Sequence, residues 1–313
     1  MHFIGVLNKD GGTFRNMDME AFAADAERVF AENGKTLECR VVAGDDLEAE
    51  LERAASDPAS DALLAGGGDG TISAAAGICF RHGMALAVLP AGTMNLFARS
   101  LSVPLQLEAA VAAIAMGEVS RVDIATANGR PFVHQFSVGM HSRLVRIRNG
   151  LTYSSRLGKI IASVRAVALA LSRPLVFEAE VATPHGTERR RATAVMVSNN
   201  MLGEGHIPYA ETVDQGVLGV YVVRPMPPFE LARLAFSLVY GNWKAHPLVS
   251  EREVGQVVLH FPRRKASARA VIDGELVPLD RTVDLRIHAG GLNVVLPAAP
   301  GEESATDPAI EAA

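Results

Sequence analysis

The segment Ala65-Gly66-Gly67-Gly68-Asp69-Gly70-Thr71 decides the fold of this 313-residue chain. The apolar run at 61–65 predicts a strand, and the alanine-rich run at 72–80 predicts a helix. Glycines at such a junction let the backbone approach a ligand closely, and the amides of a helix N-terminus favour an anion such as phosphate. Asp69 would repel a phosphate unless a cation lay between them. It therefore indicates either Mg²⁺ or a proton acceptor beside a transferring phosphate.

A second loop of small polar residues follows one βα unit later, in Leu89-Pro90-Ala91-Gly92-Thr93-Met94-Asn95-Leu96-Phe97-Ala98-Arg99. Two consecutive βα units place both loops at the C-terminal edge of one parallel sheet, where α/β proteins bind ligands. The first loop lacks the Gly-Lys-Ser/Thr of a P-loop. A dinucleotide-binding fingerprint that began at Gly66 would need glycine at position 71, where this chain has Thr71. The residues therefore predict a phosphate-binding α/β protein, with ordinary turn glycines as the alternative.

Composition and charge limit the classes of protein to which this chain can belong. The formal net charge of −5 and the pI near 6.0 argue against general nucleic-acid binding, so no nucleic-acid partner is expected. The two cysteines, Cys39 and Cys79, lack CxxC spacing and form no disulfide framework, which favours a reducing compartment. The N-terminus lacks a signal-peptide pattern, and no run of about 18 apolar residues occurs. We therefore expect a cytoplasmic protein without a transmembrane helix.

The pattern of predicted elements divides the chain into two domains. Residues 1–123 alternate strand and helix, which predicts an α/β nucleotide-binding domain with a parallel sheet covered on both faces. Residues 124–297 consist mostly of short alternating runs, which predict an antiparallel β-sandwich domain. The Ala/Pro/acid-rich segment 298–313 predicts a disordered tail.

Some predictions in the second half are specific enough to test individually. Single strands are predicted over 132–138, 192–198, 283–287 and 292–296. Two helices, 154–171 and 228–243, interrupt the strands. The second of these is apolar nearly all round, so it is either buried in the core or faces an apolar partner.

Charge is distributed unevenly along the chain. Residues 1–70 are rich in Asp and Glu, whereas residues 124–177 contain neither and carry many arginines. Two more basic clusters are Arg189-Arg190-Arg191 and Arg263-Arg264-Lys265. Such clusters on an otherwise acidic protein suit anionic lipid headgroups. The alternative is a solvated face that is paired with acids elsewhere in the fold.

Together with a late Ile272-Asp273-Gly274-Glu275, these features resemble the catalytic domain of the diacylglycerol kinase family over about residues 3–297. That family includes sphingosine and ceramide kinases and many bacterial soluble lipid kinases. The GGDGT run alone also occurs in NAD kinases and phosphofructokinases. Its pairing with Pro-x-Gly-Thr-x-Asn-x-Phe-Ala-Arg is more specific. The resemblance implies a lipid kinase of phospholipid metabolism. It would transfer the γ-phosphate of ATP, accompanied by Mg²⁺, to a hydroxyl of a diacylglycerol-like or other amphipathic lipid.

The resemblance also implies where the site lies. ATP would bind between the two domains. Glu275 matches the general base proposed for the family, and Asp69 matches the carboxylate given that role in the sphingosine kinase branch. Asp123 matches an acid of the active-site network. The implied nucleotide-binding residues are Asn8, Lys9, Gly12, Gly66, Gly67, Gly68, Asp69, Gly70, Thr71, Thr93 and Asn95. The residue chemistry agrees, because phosphoryl transfer needs backbone donors, a metal and a carboxylate. Asp273-Gly274 also predicts a hairpin turn, and a turn can present Glu275 into a cleft.

Two positions depart from the family pattern. Leu96 stands where the family commonly has Asp. In Val213-Asp214-Gln215-Gly216-Val217, Gln215 replaces an Asp of a structural Mg²⁺ loop, which leaves Asp214 as the candidate metal ligand. A catalytically weakened nucleotide- or lipid-binding protein therefore stays open. An NAD kinase-like enzyme is the third hypothesis, although the Thr/Gly/Ser-rich nicotinamide loop expected for it is not found.

The partners follow from the lipid substrate. A protein that reaches a membrane lipid without spanning the bilayer is expected to bind peripherally, here through segments 143–173 and 225–247. A homodimer is left open. Four histidines are expected to be structural, and Ser198-Asn199-Asn200 is expected to shape the cleft. These histidines are His134, His141, His206 and His288.

Overall fold

The computed structural model describes residues 1–149 and 175–297. Its first half alternates strands and helices, as predicted. Strands β1 to β4 are His2–Asn8, Thr36–Val42, Ala62–Gly67 and Ala85–Pro90. Helices α1 to α5 are Met19–Glu32, Leu47–Ala55, Asp69–His82, Leu96–Ser100 and Leu107–Met116. The strands pair in parallel in the order β2-β1-β3-β4.

Burial explains why this half is a covered parallel sheet. Every residue of β3 and β4 is buried, as expected for parallel strands that carry helices on both faces. Asp18 begins α1 by accepting a hydrogen bond from the Ala21 amide. Gly83 ends α3 in the left-handed conformation, with φ +68°. Because β1, β3 and β4 run parallel to one another, the loops that follow these strands lie at one edge of the sheet.

The second half is mostly antiparallel. Its strands β5 to β16 are Glu118–Ala127, Arg130–Phe132, Gln135–Gly139, Phe177–Thr183, Gly186–Ala192, Ala194–Asn199, Leu218–Val223, Val249–Val254, Gln256–His260, Arg269–Ile272, Glu275–Pro278 and Thr282–Leu296. Its described helices are α6, Met140–Asn149, and α7, Pro228–Tyr240. Six strands form one antiparallel sheet in the order β12-β11-β10-β7-β14-β15.

The last strand joins the two halves. The first part of β16 pairs antiparallel with β13, and its Val294 pairs in parallel with Leu86 of β4. The parallel sheet thereby continues into a ten-stranded sheet that also contains β5, β6, β8, β9 and β13. This sheet packs against the six-stranded sheet around buried residues such as Phe136, Val195 and Leu285. The predicted fold class, a parallel α/β domain followed by an antiparallel sandwich, is confirmed.

Four of the predicted strands have different boundaries. The runs at 283–287 and 292–296 are one strand with a bulge between His288 and Leu292. The run at 132–138 is divided between β6 and β7, and the run at 192–198 is divided between β9 and β10. The predicted domain boundary at 123/124 falls inside β5. The predicted helix at 154–171 and the predicted tail at 298–313 lie outside the described residues.

Helix α7 has two different faces. Leu231 and Leu234 are buried in a cluster with Trp243, whereas Phe229, Phe236 and Tyr240 are 75%, 62% and 62% exposed. The helix is therefore amphipathic rather than wholly buried. Of the helices that the structure describes, none combines the length and the apolar character needed to cross a bilayer.

Candidate active site

Three loops meet at the C-terminal edge of β1, β3 and β4. They are residues 8–13, 67–71 and 90–95, and together they are called the three-loop cradle. Backbone hydrogen bonds join them: the Thr13 amide donates to the Ala91 carbonyl at 2.8 Å, and the Ala91 amide donates to the Gly67 carbonyl at 2.9 Å. Asn8 Nδ2 donates to the buried Thr71 Oγ1 at 3.2 Å. Loops that were predicted separately therefore form one connected surface.

Glycine is required where these loops touch. Gly12 has φ +37°, and a Cβ built there would lie 1.8 Å from the Ala91 oxygen. A Cβ on Gly92 would lie 2.7 Å from the Gly68 Cα. Gly70 is different, because its Cβ would meet no atom within 4 Å. The loops of the cradle are therefore in close contact at Gly12 and Gly92, and the cradle is open at Gly70, near the N-terminus of α3.

Asp69 is the first residue of α3, and its carboxylate binds the next loop. Its Oδ1 accepts the Leu96 amide at 2.6 Å, and its Oδ2 accepts the Asn95 amide at 3.1 Å. Leu96 begins α4, so Asp69 places a negative charge at the positive end of that helix. Asn95 adopts φ 50°, and its side chain bridges the amide and carbonyl of Gly92. Leu96 thus contributes its backbone, not its side chain, to the site.

The turn between β14 and β15 is tied to the helix that follows the glycine loop. Asp273, at φ 45°, accepts the Ser73 hydroxyl at 2.7 Å. The same carboxylate accepts the backbone amides of Val133, His134 and Gln135 at 2.9–3.0 Å. Ser73 lies one helical turn after Asp69. These four hydrogen bonds hold the Asp273-Gly274-Glu275 turn against the N-terminal part of α3, and they separate β6 from β7.

Glu275 is presented to solvent by this turn. Its side chain is 68% exposed and pairs with Arg130, with 2.5 Å between Nη2 and Oε2. An exposed ion pair of this kind contributes at most about 1 kcal/mol to stability. Its effect is therefore mainly to orient a carboxylate that a ligand can still reach. The sequence analysis assigned Asp273 only a hairpin turn, and it gave no individual role to Arg130 or Ser73.

His134 lies between the two carboxylates of this region. Burial lowers the pKa of the imidazole below its usual 6.5, against the opposing attraction of Asp273 and Asp69. The ring is therefore neutral at pH 7 and adds no positive charge beside Asp69.

Asp123 is engaged in a different way. It is 1% exposed, and its oxygens accept the Gly216 amide at 2.6 Å and the Gly290 amide at 2.8 Å. Asn199 Nδ2 donates to the Asp123 carbonyl at 3.0 Å. The carboxylate thus fastens the 213–217 loop to the bulge of β16. The structure places it among backbone amides, away from the hydrogen bonds that join Asp69 to the cradle.

The 213–217 loop is closed by a side-chain amide. Gln215 Oε1 accepts the Met201 amide at 3.2 Å, and the Gln215 amide donates to Asn200 Oδ1 at 3.1 Å. Asp214 is exposed. Across residues 1–149 and 175–297, no group of three or more His, Cys, Asp or Glu side chains could hold a metal. Asp214 belongs to no such group, and its role as a metal ligand stays a prediction.

The remaining predicted residues lie at the rim of the cradle. Lys9 and Thr93 are exposed, and the Arg15 guanidinium donates to the Asp10 carbonyl, which braces the first loop. The structure therefore brings together Asn8, Lys9, Gly12, the 66–71 segment, Thr93 and Asn95. It adds the turn of Glu275 to them through Ser73.

Comparison with known proteins identifies similar sequences. The diacylglycerol kinase catalytic domain family matches residues 2–127. A probable lipid kinase, YegS-like, from Pseudomonas aeruginosa (strain UCBPP-PA14) is 30% identical over 278 residues, covering 85% of this chain and 87% of that protein. An uncharacterized Synechocystis protein is 24% identical over 248 residues and 75% of this chain, which spans 54% of that longer relative.

The fold is also found among solved structures. A Bacillus anthracis (strain Sterne) protein assigned as a diacylglycerol kinase has a TM-score of 0.75. The alignment covers 94% of this chain and 95% of that one, at 20% sequence identity. At this identity the similarity concerns the fold alone.

Proposed function

This chain belongs to the diacylglycerol kinase family of lipid kinases, which are phosphotransferases, and on that basis we propose that it transfers the γ-phosphate of ATP to a hydroxyl of a diacylglycerol-like lipid. One contact carries the proposal. The hydrogen bond from Ser73 to Asp273 joins the helix that begins in the glycine loop to the turn that presents Glu275. The proposed phosphate-binding surface and an accessible carboxylate are thus connected through α3.

The three-loop cradle fits a triphosphate. Its glycines let the loops pack closely against one another, and the space beside Gly70 is open at the N-terminus of α3. Backbone amides and the helix dipole favour phosphate at such a position. Lys9 and Thr93 are exposed at the rim, where they can add a charge and a hydroxyl donor.

The metal requirement is best met by an ion that arrives with the nucleotide. Protein-bound Mg²⁺ commonly uses one or two carboxylates together with substrate phosphates and waters. Each Asp69 oxygen accepts one amide, and a carboxylate oxygen has a further lone pair for such an ion. When bound, Mg²⁺ would neutralise charge on the transferring phosphoryl group. No step is assigned to Asp214.

Glu275 is the proposed base. Its carboxylate takes the proton of the acceptor hydroxyl as that oxygen bonds to the γ-phosphorus of ATP, and the bond from this phosphorus to the bridging oxygen breaks to release ADP. Arg130 holds the Glu275 side chain in position. Asp69 orders the cradle through the amides of Asn95 and Leu96. Asp123 acts further away, as a positioning residue that fixes the 213–217 loop.

The lipid is proposed to be reached from the cytoplasmic side by peripheral contact. The exposed face of α7, formed by Phe229, Phe236 and Tyr240, is a surface that can enter the interfacial region of a bilayer. Aromatic side chains bury a large apolar area at this depth, and the Tyr240 hydroxyl can stay in contact with water.

The test is transfer from labelled ATP into a total lipid extract, with the product identified by mass. Glu275→Gln is expected to lower kcat/KM by roughly 10²–10⁴-fold, the usual contribution of general base catalysis. Its unfolding midpoint should not change, because the side chain is exposed. Glu253→Gln, an exposed glutamate on β12, is the matched control and should be fully active.

Two outcomes would contradict the proposal. If Glu275→Gln transfers phosphate as fast as the wild type, Glu275 is not the base. If the wild type binds Mg·ATP but labels no lipid, the chain is a nucleotide- or lipid-binding protein of the same fold.

A further inference from the structure

A cavity of about 660 Å³ lies at the end of the sandwich farther from Glu275. It is bounded by α6, the start of β8 and the segment 261–269. Its floor is apolar and includes Phe177, Phe261 and Leu279. Its size lies within the range of pockets that bind small molecules, about 300–1,000 Å³.

The rim of this cavity is strongly basic. Among the lining residues that the structure describes, seven are Arg or Lys and one, Glu178, is an acid. Glu178 is already shared, because Arg189 donates to it at 2.8 Å and Arg263 lies 3.6 Å away. The Arg189 hydrogen bond lowers the pKa of Glu178, so its one charge is fully present at neutral pH. In the sequence, residues 150–174 contain no Asp or Glu.

Arg264 adds an observation that points to a ligand. Its Nε is buried and has no hydrogen-bond partner among the described residues. A buried donor without an acceptor is costly, and native structures rarely leave one unpaired. An anion in the cavity would satisfy this donor, and guanidinium groups bind phosphate through paired N–H donors.

We propose that this cavity binds an anionic lipid, with its phosphate at the arginine rim and its first acyl carbons against Phe177, Phe261 and Leu279. The combination of surfaces argues for this class of ligand. A small inorganic anion would not need the apolar floor, and a neutral lipid would bring no anionic acceptor to the buried Arg264 Nε. The inference extends the proposed function, because it assigns a place for the charged lipid.

This site is distinct from the point of phosphoryl transfer. Leu279 lies four residues beyond Glu275, just past the end of β15, and four extended residues span about 13 Å. A headgroup phosphate at the rim therefore lies well away from an acceptor hydroxyl at Glu275. The bound lipid is either an anionic acceptor with an extended headgroup or an accessory lipid that anchors the enzyme.

Helix α6 connects the cavity to the proposed membrane face. Ser142 and Arg146 line the cavity, whereas Leu144 and Ile147 pack into the cluster that buries Leu231 of α7. The basic cavity and the amphipathic α7 therefore flank one helix. A lipid drawn from the bilayer at α7 would have a short path to the cavity.

The test is calorimetric titration of the full-length protein, without ATP, with monomeric dihexanoyl phosphatidic acid. Dihexanoyl phosphatidylcholine and inorganic phosphate are the reference ligands. Binding of the phosphatidic acid is expected to be at least tenfold tighter than binding of either reference. Arg264→Gln is expected to weaken it about tenfold, the loss typical of a charge-assisted hydrogen bond. Lys265→Gln, at the exposed rim, should weaken it less, and Arg28→Gln, an exposed arginine on α1, should not change it.

The inference is overturned if inorganic phosphate binds as tightly as the phosphatidic acid, if the phosphatidylcholine binds equally well, or if both cavity variants bind like the wild type. Thermal unfolding of each variant identifies a loss that is due to misfolding, and Lys265→Gln then decides the question. Because ATP is omitted, an inactive kinase would leave this result intact. Addition of Mg·ATP distinguishes the two roles of the bound lipid. A lipid that becomes phosphorylated is an acceptor, and a lipid that stays unchanged is an accessory lipid.

Discussion

The two halves of the molecule form their candidate ligand surfaces in different ways. In the first half, the three-loop cradle is built from backbone, with Gly12 and Gly92 in contact with neighbouring loops and Asp69 bound to amides. In the second half, the basic cavity and the exposed face of α7 are built from long side chains. Ligand binding at a backbone site depends on the position of individual backbone atoms. Binding at a side-chain surface depends on the total charge and the total apolar area that many side chains provide. Substitutions should therefore act abruptly in the first half and gradually in the second.

Gly12→Ala should have the largest effect. The alanine must adopt a left-handed φ, and its Cβ would overlap the Ala91 oxygen at 1.8 Å. We expect a loss of about 3 kcal/mol or more in unfolding free energy, and nucleotide binding weakened more than tenfold. Urea unfolding and titration with an ATP analogue measure the two effects.

Gly34→Ala is the matched control for this substitution. Gly34 also has positive φ, at +70°, but a Cβ there would meet nothing within 4 Å. It should cost about 1 kcal/mol through backbone strain alone and leave nucleotide binding unchanged. Equal losses in the two variants would mean that the contact between loops is not what makes the cradle sensitive.

Asp123→Asn should rank second, because Asp123 lies where the halves meet. Both of its oxygens accept backbone amides, so an Asn side chain would place an NH₂ group against one of these donors. We expect a loss of about 2–3 kcal/mol in unfolding free energy. Asp214→Asn, an exposed change nearby, should stay within about 0.5 kcal/mol, with or without Mg²⁺. A large Mg²⁺-dependent loss for Asp214→Asn would show that the loop holds a metal after all.

The same contrast explains what the sequence could predict. Glycine at a strand end indicates a backbone requirement locally, so the three loops of the cradle and the fold class were predictable. The Ser73–Asp273 bond joins residues 200 positions apart and depends on how the sheets pack, so no local pattern announces it. The basic runs at 189–191 and 263–265 were visible, but their convergence with α6 on one cavity was not.

The predicted boundaries of some strands were wrong for a related reason. The bulge at 288–292 interrupts the alternation that identifies a strand, so β16 was divided in two. The opposite error occurred at 132–138, where apolar residues continue across a turn whose backbone amides the Asp273 carboxylate binds. In both places a tertiary contact overrides the local pattern.

The third prediction tests the gradual response of the second half. Phe236→Ser removes one exposed ring of α7, and we expect about tenfold weaker binding to vesicles, since burying such a side chain contributes about 1.5 kcal/mol or more. Met116→Ser, an exposed apolar residue of α5, is the control and should bind like the wild type. Cosedimentation with neutral and with anionic vesicles at low and high salt measures this. Equal recovery with both kinds of vesicle at low salt would reject a role for the basic residues.

The smallest expected effect is a pH dependence of stability at the boundary between the halves. Burial holds the pKa of His134 below 6.5, so below that pH the unfolded chain binds a proton that the folded chain does not. The contribution of His134 to stability is thus fully present above pH 6.5 and is lost as pH falls through the folded pKa. Unfolding free energies of the wild type and His134→Gln, measured from about pH 8 to about pH 5, should differ in slope below pH 6.5 and run parallel above it. Parallel curves throughout would mean that the imidazole titrates normally, and the neutral ring between Asp69 and Asp273 would then be an incorrect description of this boundary.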